Sequence, residues 1–163
     1  TGVQTCALPI LKCGTTVQTV ENFTVEFIDV SFSYNGKKQV IKNLNLKFDE
    51  GTFNALVGES GSGKSTIAKL LAGFWNVESG HIKIGGIDVN NIPLKQLSKL
   101  ISYVSQDNYL FDFSVKENIR LGNPNATDDE VEQIAIKAGC DRFIRELSHG
   151  YDTIVGEDRK SVV

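Results

Sequence analysis

Hydrophobic residues alternate with polar ones over two neighbouring stretches, residues 25–34 and 44–48. The first stretch alternates imperfectly and ends at Asn35-Gly36, a dipeptide typical of a two-residue hairpin turn. The second alternates cleanly through Leu44, Leu46 and Phe48. A period of two is the pattern of a half-buried β-strand. The sequence therefore predicts an antiparallel β start to the fold.

Short apolar runs and helical patterns follow one another further along the chain. Strands are predicted at residues 53–57, 81–84 and 101–105. An apolar stripe of Ile67, Leu70 and Leu71 predicts a helix after the glycine-rich stretch, and a second helix opens at Pro93. Strands that alternate with helices indicate the α/β class.

The last third of the chain carries two helix-start signals. Ser114 and Glu117 are three residues apart, as are Thr127 and Glu130, and both pairs have the spacing of a capping box. The second pair precedes a helical stripe that ends at Gly139, and a further helix is predicted from the apolar residues after it. The stripe consists of Val131, Ile134, Ala135 and Ala138. Helices are therefore expected to dominate this part.

Composition limits the possible partners. The 163 residues, 40% apolar and 23% charged, suit one domain or part of one. A net charge of -3 with scattered lysines disfavours nucleic acid as a partner. No apolar run approaches the roughly 18 residues of a membrane helix. The three cysteines lack metal-ligand spacing, so we expect neither a disulfide framework nor a zinc site, and a reducing cytosol fits best.

Both ends of the chain call for a separate interpretation. Residues 1–10 and 158–163 resemble the translation of a common sequencing adapter, so we expect them to be artefacts. A short signal-like segment is the alternative for the first of them. Residues 11–24 are polar and aperiodic, which suggests a linker. The expected folded part is residues 25–157, an incomplete domain.

A glycine-rich stretch at residues 57–66, VGESGSGKST, carries the candidate chemistry. Gly58, Gly63, Lys64 and Ser65 satisfy the pattern G-x-x-x-x-G-K-[ST], which turns backbone N–H groups around phosphate oxygens at a helix N-terminus. Lys64 would reach the β- and γ-phosphates, and Ser65 would ligate Mg²⁺. An ordinary Gly/Ser turn before a helix is the alternative. The candidate nucleotide-binding residues here are Gly58, Ser60, Gly61, Ser62, Gly63, Lys64, Ser65 and Thr66.

With this loop, the stretch SFSYNG and the stretch ISYVSQDNYLFDFSVKENI, residues 25–157 resemble the ATP-binding cassette, the nucleotide-binding domain of ABC transporters. The resemblance implies that Tyr34 stacks on adenine. It also implies that Gln106 ligates the metal and contacts the membrane domain. A core aromatic of the hairpin is the alternative for Tyr34, and a solvated polar residue is the alternative for Gln106.

The segments DNYLFDFSVKENIRLGNP and GYDTIVGE resemble the exporter branch, in which the TxVGE run, here ending at Glu157, lies near intracellular loops of the membrane domains. A solvated surface acid is the alternative for Glu157. The implied fold is an incomplete P-loop NTPase fold of the ABC type, with an antiparallel β subdomain, a RecA-like core and part of a helical subdomain. The implied ligands are ATP and Mg²⁺. The implied partners are a membrane domain, fused or separate, and a second nucleotide-binding domain placed head to tail, at the cytoplasmic face of a membrane.

Several parts of the family pattern are absent from the sequence. There is no LSGGQ-type signature, no apolar strand ending in Asp-Glu and no switch histidine, since His81 and His149 both come too early. We therefore assign no catalytic residue, and we expect ATP binding without turnover by this chain alone. The strand predicted at 53–57 is also expected to lack its neighbours. A non-transport P-loop ATPase of the same superfamily is the main alternative; a GTP-binding switch is disfavoured because no N-K-x-D stretch occurs.

Overall fold

A computed structural model describes residues 14–36, 38–106 and 109–156. The chain separates into two compact units, and the division falls after Tyr103. The adapter-like ends, Glu157 and the first residues of the predicted linker lie outside the described residues. The bounds of the predicted domain, 25–157, stay a prediction. Within the described ranges, no helix has both the length and the apolar character needed to cross a membrane.

The first unit contains a four-stranded antiparallel sheet. Its strands run in the spatial order β2-β1-β3-β4. Their bounds are β1 (Val25–Ser33), β2 (Gln39–Phe48), β3 (Ser79–Ile84) and β4 (Ile87–Asp88). The predicted antiparallel start and the pairing of β1 with β2 are confirmed, and so is the strand predicted at 81–84. Five residues separate Ser33 from Gln39, so the connection is longer than the two-residue turn typical of Asn-Gly.

A β-bulge explains why the alternation along β1 is imperfect. The register against β2 shifts between Phe27 and Val30, and Asp29 between them has a φ of 48°. The Asn45 side chain accepts a hydrogen bond from the Asp29 backbone N–H at 3.0 Å and donates one to its carboxylate at 2.8 Å. The bulge lets Phe27 and Val30, three positions apart, both face the core.

Helices cover the core of the first unit. The two α-helices are α1 (Lys64–Leu71) and α2 (Leu94–Leu100), and Val89–Asn91 forms a short 3₁₀ helix. The apolar stripe predicted for α1 is confirmed, because Ile67 and Leu70 are buried and Leu71 packs against the same cluster. Helix α2 begins directly after Pro93, as predicted. The buried core residues that meet these helices include Phe27, Val30, Phe32, Ile41, Ile82 and Ile84.

Two predicted strands are wrong. Residues 53–57 and 101–105 have no strand pairing within the described part of the chain. Phe53 and Val57 are almost fully exposed, at 103% and 94%, and Val104 is 85% exposed. A strand is stabilised by hydrogen bonds to a neighbouring strand and by burial of its side chains. Neither segment has strand hydrogen bonds within the described residues, and residues 53–57 are also exposed throughout, which agrees with the expectation that 53–57 lacks its neighbours. Residues 101–105 keep part of a strand's burial, since Ile101 and Tyr103 are half-buried.

The second unit consists mainly of helices. It contains β5 (Phe113–Ser114), α3 (Val115–Arg120), α4 (Asp128–Lys137), α5 (Asp141–Glu146), a 3₁₀ turn (Gly150–Asp152) and β6 (Ile154–Val155). Strand β5 pairs with β6 in antiparallel fashion. The core is formed by Val131, Ala135, Ile144 and Tyr151. The stripe predicted on α4 is narrower than expected, since Ile134 and Ala138 are exposed.

The two predicted capping boxes differ in outcome. At α4 the Thr127 hydroxyl accepts a hydrogen bond from the Glu130 backbone N–H, and the Glu130 carboxylate accepts one from that of Thr127. At α3 the Ser114 hydroxyl accepts from the Glu117 backbone N–H in the same way. The Glu117 carboxylate, however, pairs with Arg120 one turn later. The predicted box at Ser114 and Glu117 is therefore half formed: the Ser114 hydroxyl caps α3, and the Glu117 side chain pairs with Arg120 instead.

Candidate nucleotide-binding site

The N-terminus of helix α1 is built to accept an anion. Gly63 is the N-cap residue, and no side chain caps the helix or adds an acidic group to its first turn. The first backbone N–H groups of an α-helix have no partner inside the helix. The helix dipole places a partial positive charge at the same end. A phosphate group at this position would satisfy both the donors and the charge.

Two glycines give the loop its shape. Gly61 and Gly63 have φ values of 80° and 92°, in the left-handed region that disfavours residues with a side chain. A Cβ atom on Gly63 would also lie 2.7 Å from the Cδ1 atom of Ile41 on β2. Strand β2 therefore packs directly against the start of α1. The loop can follow this path because position 63 has no side chain.

Lys64 folds back over the loop that precedes it. Its Nζ atom donates hydrogen bonds to the backbone oxygens of Gly58 at 2.8 Å and Glu59 at 2.6 Å. A third bond, 3.2 Å long, reaches the Ser62 hydroxyl. The ammonium group is thus held beside the donors of the helix N-terminus. Phosphate oxygens entering the loop would meet a positive charge already in place.

The hydroxyl residues of the loop differ in exposure. Ser60, Ser62 and Ser65 are exposed, whereas Thr66 is buried. Ser65 lies in the first turn of α1, one residue after Lys64. A hydroxyl oxygen next to phosphate oxygens is the kind of hard ligand that Mg²⁺ accepts. The residues present therefore fit a magnesium-bound nucleotide.

Tyr34 lies beside the first turn of α1, although it is distant in sequence. Its hydroxyl group is 2.9 Å from the Thr66 hydroxyl. The ring makes nearly perpendicular contacts with Phe32 at 4.9 Å and Trp75 at 5.2 Å between centroids. A core aromatic of the hairpin would be buried, but Tyr34 is 42% exposed. The structure brings this residue to the loop, and its contact with adenine stays a prediction.

Trp75 is the part of the site that the sequence did not reveal. It follows the end of α1 and contacts the rings of both Phe32 and Tyr34. It is also the only tryptophan in the sequence. The aromatic pair Phe74-Trp75 just after the helix of a phosphate loop was the available signal, but the contact of Trp75 with Tyr34 is known only from the fold.

Gln106 belongs to the second unit and is exposed. The strand predicted to end just before it is not formed. Its amide oxygen is a suitable ligand for a hard cation. Its role as a metal ligand stays a prediction, and so does its contact with a membrane domain.

The chain is similar to known ABC transporter proteins. The ABC transporter family model matches residues 41–156. ABC transporter B family member 1 of Dictyostelium discoideum is 45% identical over 135 residues, which are 82% of this chain and 15% of that protein. An ABC transporter ATP-binding protein of Bacillus subtilis (strain 168) is 42% identical over 142 residues, 87% of this chain and 23% of that protein.

Two further relatives point to exporters. A Staphylococcus aureus (strain bovine RF122 / ET3-1) protein named for multidrug export, as an ATP-binding/permease protein, is 41% identical over 150 residues. These are 90% of this chain and 26% of that protein. The solved structure of a bacterial Atm1-family ABC exporter with ATP bound matches with a TM-score of 0.81 and 36% identity. That match covers 86% of this chain and 25% of the exporter chain.

The chain thus spans between 15% and 26% of the length of these relatives. The family match covers the phosphate loop together with helices α1 to α5. The chain therefore belongs to the ABC transporter family, and it carries part of the ATP-binding domain of the exporter type.

Proposed function

We propose that this chain binds MgATP as part of an exporter in which ATP binding and hydrolysis drive a solute across a membrane. The observation that carries the proposal is the phosphate loop, in which the Lys64 ammonium group lies beside the uncapped start of α1. The export function is supported by the names of the relatives. The proposed location is the cytoplasmic face of the membrane, and the proposed dimer partner is a second nucleotide-binding domain placed head to tail.

Each residue of the site has a proposed part in holding the nucleotide. Backbone N–H groups of the loop, from Gly58 to Thr66, would bind phosphate oxygens, and Lys64 would neutralise their charge. Ser65 and Gln106 would hold Mg²⁺, and the exposed ring of Tyr34 would stack on adenine. When bound, the magnesium ion neutralises charge on the β- and γ-phosphates.

Binding without turnover is the activity proposed for these 163 residues. Phosphoryl transfer needs a positioned water molecule and stabilised charge as well as a metal. The signature, the Asp-Glu pair and the switch histidine of the family are absent from this sequence. The loop described here supplies binding and charge neutralisation alone.

Calorimetric titration of the chain with MgATP is the direct test. We expect one site with a Kd in the micromolar range, because three or four charge-assisted hydrogen bonds of about 1.5 to 3 kcal/mol each reach the roughly 8 kcal/mol required. MgGTP should compete less well than MgATP. The absence of heat with soluble, monodisperse protein would contradict the proposal.

An apolar groove in the second unit is the proposed contact for the membrane domain. The groove has a volume of about 520 Å³, and it is lined by Tyr109, Leu110, Phe111, Val115, Leu121 and Phe143 among others. Phe111 and Phe143 are 46% and 54% exposed. Exposed apolar surface of this kind marks an interaction site.

The chain itself indicates what the groove accepts. The lining of the groove begins at Tyr109, three residues after Gln106, and the family resemblance implies that Gln106 contacts the membrane domain. Val155 and Gly156 line the same groove. They belong to the TxVGE run, which the resemblance to the exporter branch implies to lie near intracellular loops of the membrane domains. The pairing of Phe113 with Val155 brings the two segments together. A helix from the cytoplasmic side of the membrane domain, laid in by its apolar face, is therefore the proposed occupant.

Placing a charge in the groove should uncouple the two domains. We expect Phe111→Asp in the complete transporter to lower transport at least about 10-fold, since an aspartate would have to be buried without a partner. MgATP affinity should not change. Ile136→Asp is the matched control, because Ile136 is 50% exposed on α4 outside the groove. Transport at the unsubstituted level by the Phe111 variant would show that the groove is not the contact.

A further inference from the structure

The side chains of Tyr34 and Thr66 form a hydrogen bond that joins two distant parts of the site. The two hydroxyl oxygens lie 2.9 Å apart across a sequence separation of 32 residues. One belongs to the loop after β1 and the other to the first turn of α1. Thr66 is only 6% exposed, in contrast to the exposed serines of the same loop. Its hydroxyl group is turned towards the tyrosine.

The Tyr34 ring also contacts two other aromatic residues. Phe32 meets it at an interplanar angle of 83° and Trp75 at 87°. Such edge-to-face pairs are the favoured geometry for neighbouring rings. Together with the hydrogen bond at the ring's far end, they fix both the plane and the rotamer of a side chain that is 42% exposed.

We propose that Thr66 is a positioning residue that acts on the base end of the nucleotide, by holding the Tyr34 ring in place as a platform for adenine. This inference rests on the proposed function, since it needs MgATP to bind at the loop. Trp75 supports the same platform through its ring contact with Tyr34. The role differs from that of a phosphate ligand, which the position of Thr66 in the loop alone would suggest.

The physical reason is preorganisation. An exposed aromatic side chain samples several staggered rotamers, and stacking selects one of them. A ring already fixed by a hydrogen bond and two ring contacts loses little further freedom when the base arrives. Removing the hydrogen bond would release the ring and weaken MgATP binding without touching the groups that bind phosphate.

Two isosteric variants and their combination test this idea on the full 163-residue chain. Tyr34→Phe and Thr66→Val each remove one hydroxyl group of the bond and keep the size of the side chain. By calorimetry, we expect each to weaken MgATP binding about 3- to 10-fold. The double variant should be no weaker than either single variant, because all three lack the same bond. Thr66→Ser, which keeps the hydroxyl group, should retain the affinity of the unsubstituted chain.

Magnesium tripolyphosphate is the control ligand, because it has phosphates and no base. Its affinity should stay within about 2-fold in all variants if Thr66 acts through the platform. An equal loss for tripolyphosphate and ATP in Thr66→Val would overturn the inference and make Thr66 a phosphate ligand. Additive losses in the double variant would overturn it as well.

The same titrations separate this inference from the proposed function. If the unsubstituted chain binds MgATP and both single variants bind it equally well, the positioning role alone is wrong. If the unsubstituted chain binds neither MgATP nor tripolyphosphate, the proposed function itself is wrong. Thermal melts of the variants, followed by circular dichroism, confirm that each one is folded before it is titrated.

Discussion

Replacing Lys64 by alanine is expected to weaken MgATP binding at least about 100-fold. The ammonium group of Lys64 is the only side-chain cation that the described part of the loop at residues 57–66 contains. Two charge-assisted hydrogen bonds to phosphate oxygens contribute about 3 kcal/mol or more together, and every 1.4 kcal/mol changes Kd tenfold. Calorimetric titration of the variant with MgATP measures the loss.

The fold should survive this substitution. The Nζ atom of Lys64 bonds to the backbone oxygens of Gly58 and Glu59, and both residues are exposed. Water can replace the lysine at these acceptors, so the unfolding midpoint should change by no more than a few degrees. Loss of binding with an intact melt assigns the effect to the missing charge.

Lys69→Ala is the matched control for Lys64→Ala. It removes the same charge from the same helix, but in its last turn, away from the phosphate loop. A cation there interacts favourably with the helix dipole, so the variant should lose only about 0.3 to 1 kcal/mol of stability. Its MgATP affinity should remain unchanged. Equal losses of affinity in both variants would mean that net charge, and not the position of Lys64, determines binding.

The parts of the site that the sequence predicted are those with local signals. The loop pattern fixes the order glycine, lysine and serine within eight residues, and helix α1 follows it as expected. The capping box at Thr127 is equally local, since it needs only four neighbouring residues. Local hydrogen bonding and backbone preference determine such features, and both can be inferred from a short window.

The predictions that were wrong concern pairing between distant segments. Residues 53–57 have the composition of a strand, but a strand requires a partner, and composition does not say where the partner lies. The fully exposed Phe53 side chain illustrates this. The bulge at Asp29 also depends on a distant segment, because its backbone N–H donates a hydrogen bond to Asn45 in the neighbouring strand. The imperfect alternation along β1 was its visible trace.

The contact between Tyr34 and Thr66 could not be predicted from the residues alone. The family resemblance associates Tyr34 with the base, and the loop pattern associates Thr66 with the phosphates. Nothing in either pattern joins the two residues, which are 32 positions apart. The fold brings them together: Tyr34 directly follows β1, and Thr66 lies in the first turn of α1.

Gly63→Ala is expected to impair both the fold and the site. An alanine at a φ of 92° costs about 1 to 3 kcal/mol in backbone strain. Its Cβ atom would also lie 2.7 Å from Ile41 Cδ1, and overpacking of this kind costs a further 1 to 3 kcal/mol or so. Relief of the strain would turn the first N–H groups of α1 away from the phosphates. We expect lower stability by denaturant unfolding and at least about 10-fold weaker MgATP binding.

A second substitution separates strain from collision. Ile41→Val removes the Cδ1 atom that a Cβ at position 63 would meet, and by itself it should cost about 0.5 to 1.5 kcal/mol. The double variant Gly63→Ala/Ile41→Val should therefore lose less unfolding free energy than the two single variants lose together. We expect the difference, which is the coupling energy, to be about 1 kcal/mol or more. The remaining deficit is the backbone strain.

Gly51→Ala supplies the control for strain without collision. Gly51 has a φ of 71°, and nothing lies within 4 Å of the position that its Cβ would occupy. It also lies outside the phosphate loop, so the variant should lose stability through strain alone and bind MgATP as before. If the losses of unfolding free energy simply add in the double variant Gly63→Ala/Ile41→Val, the contact with β2 does not constrain the start of α1. In that case the need for glycine at position 63 would come from the backbone angle alone.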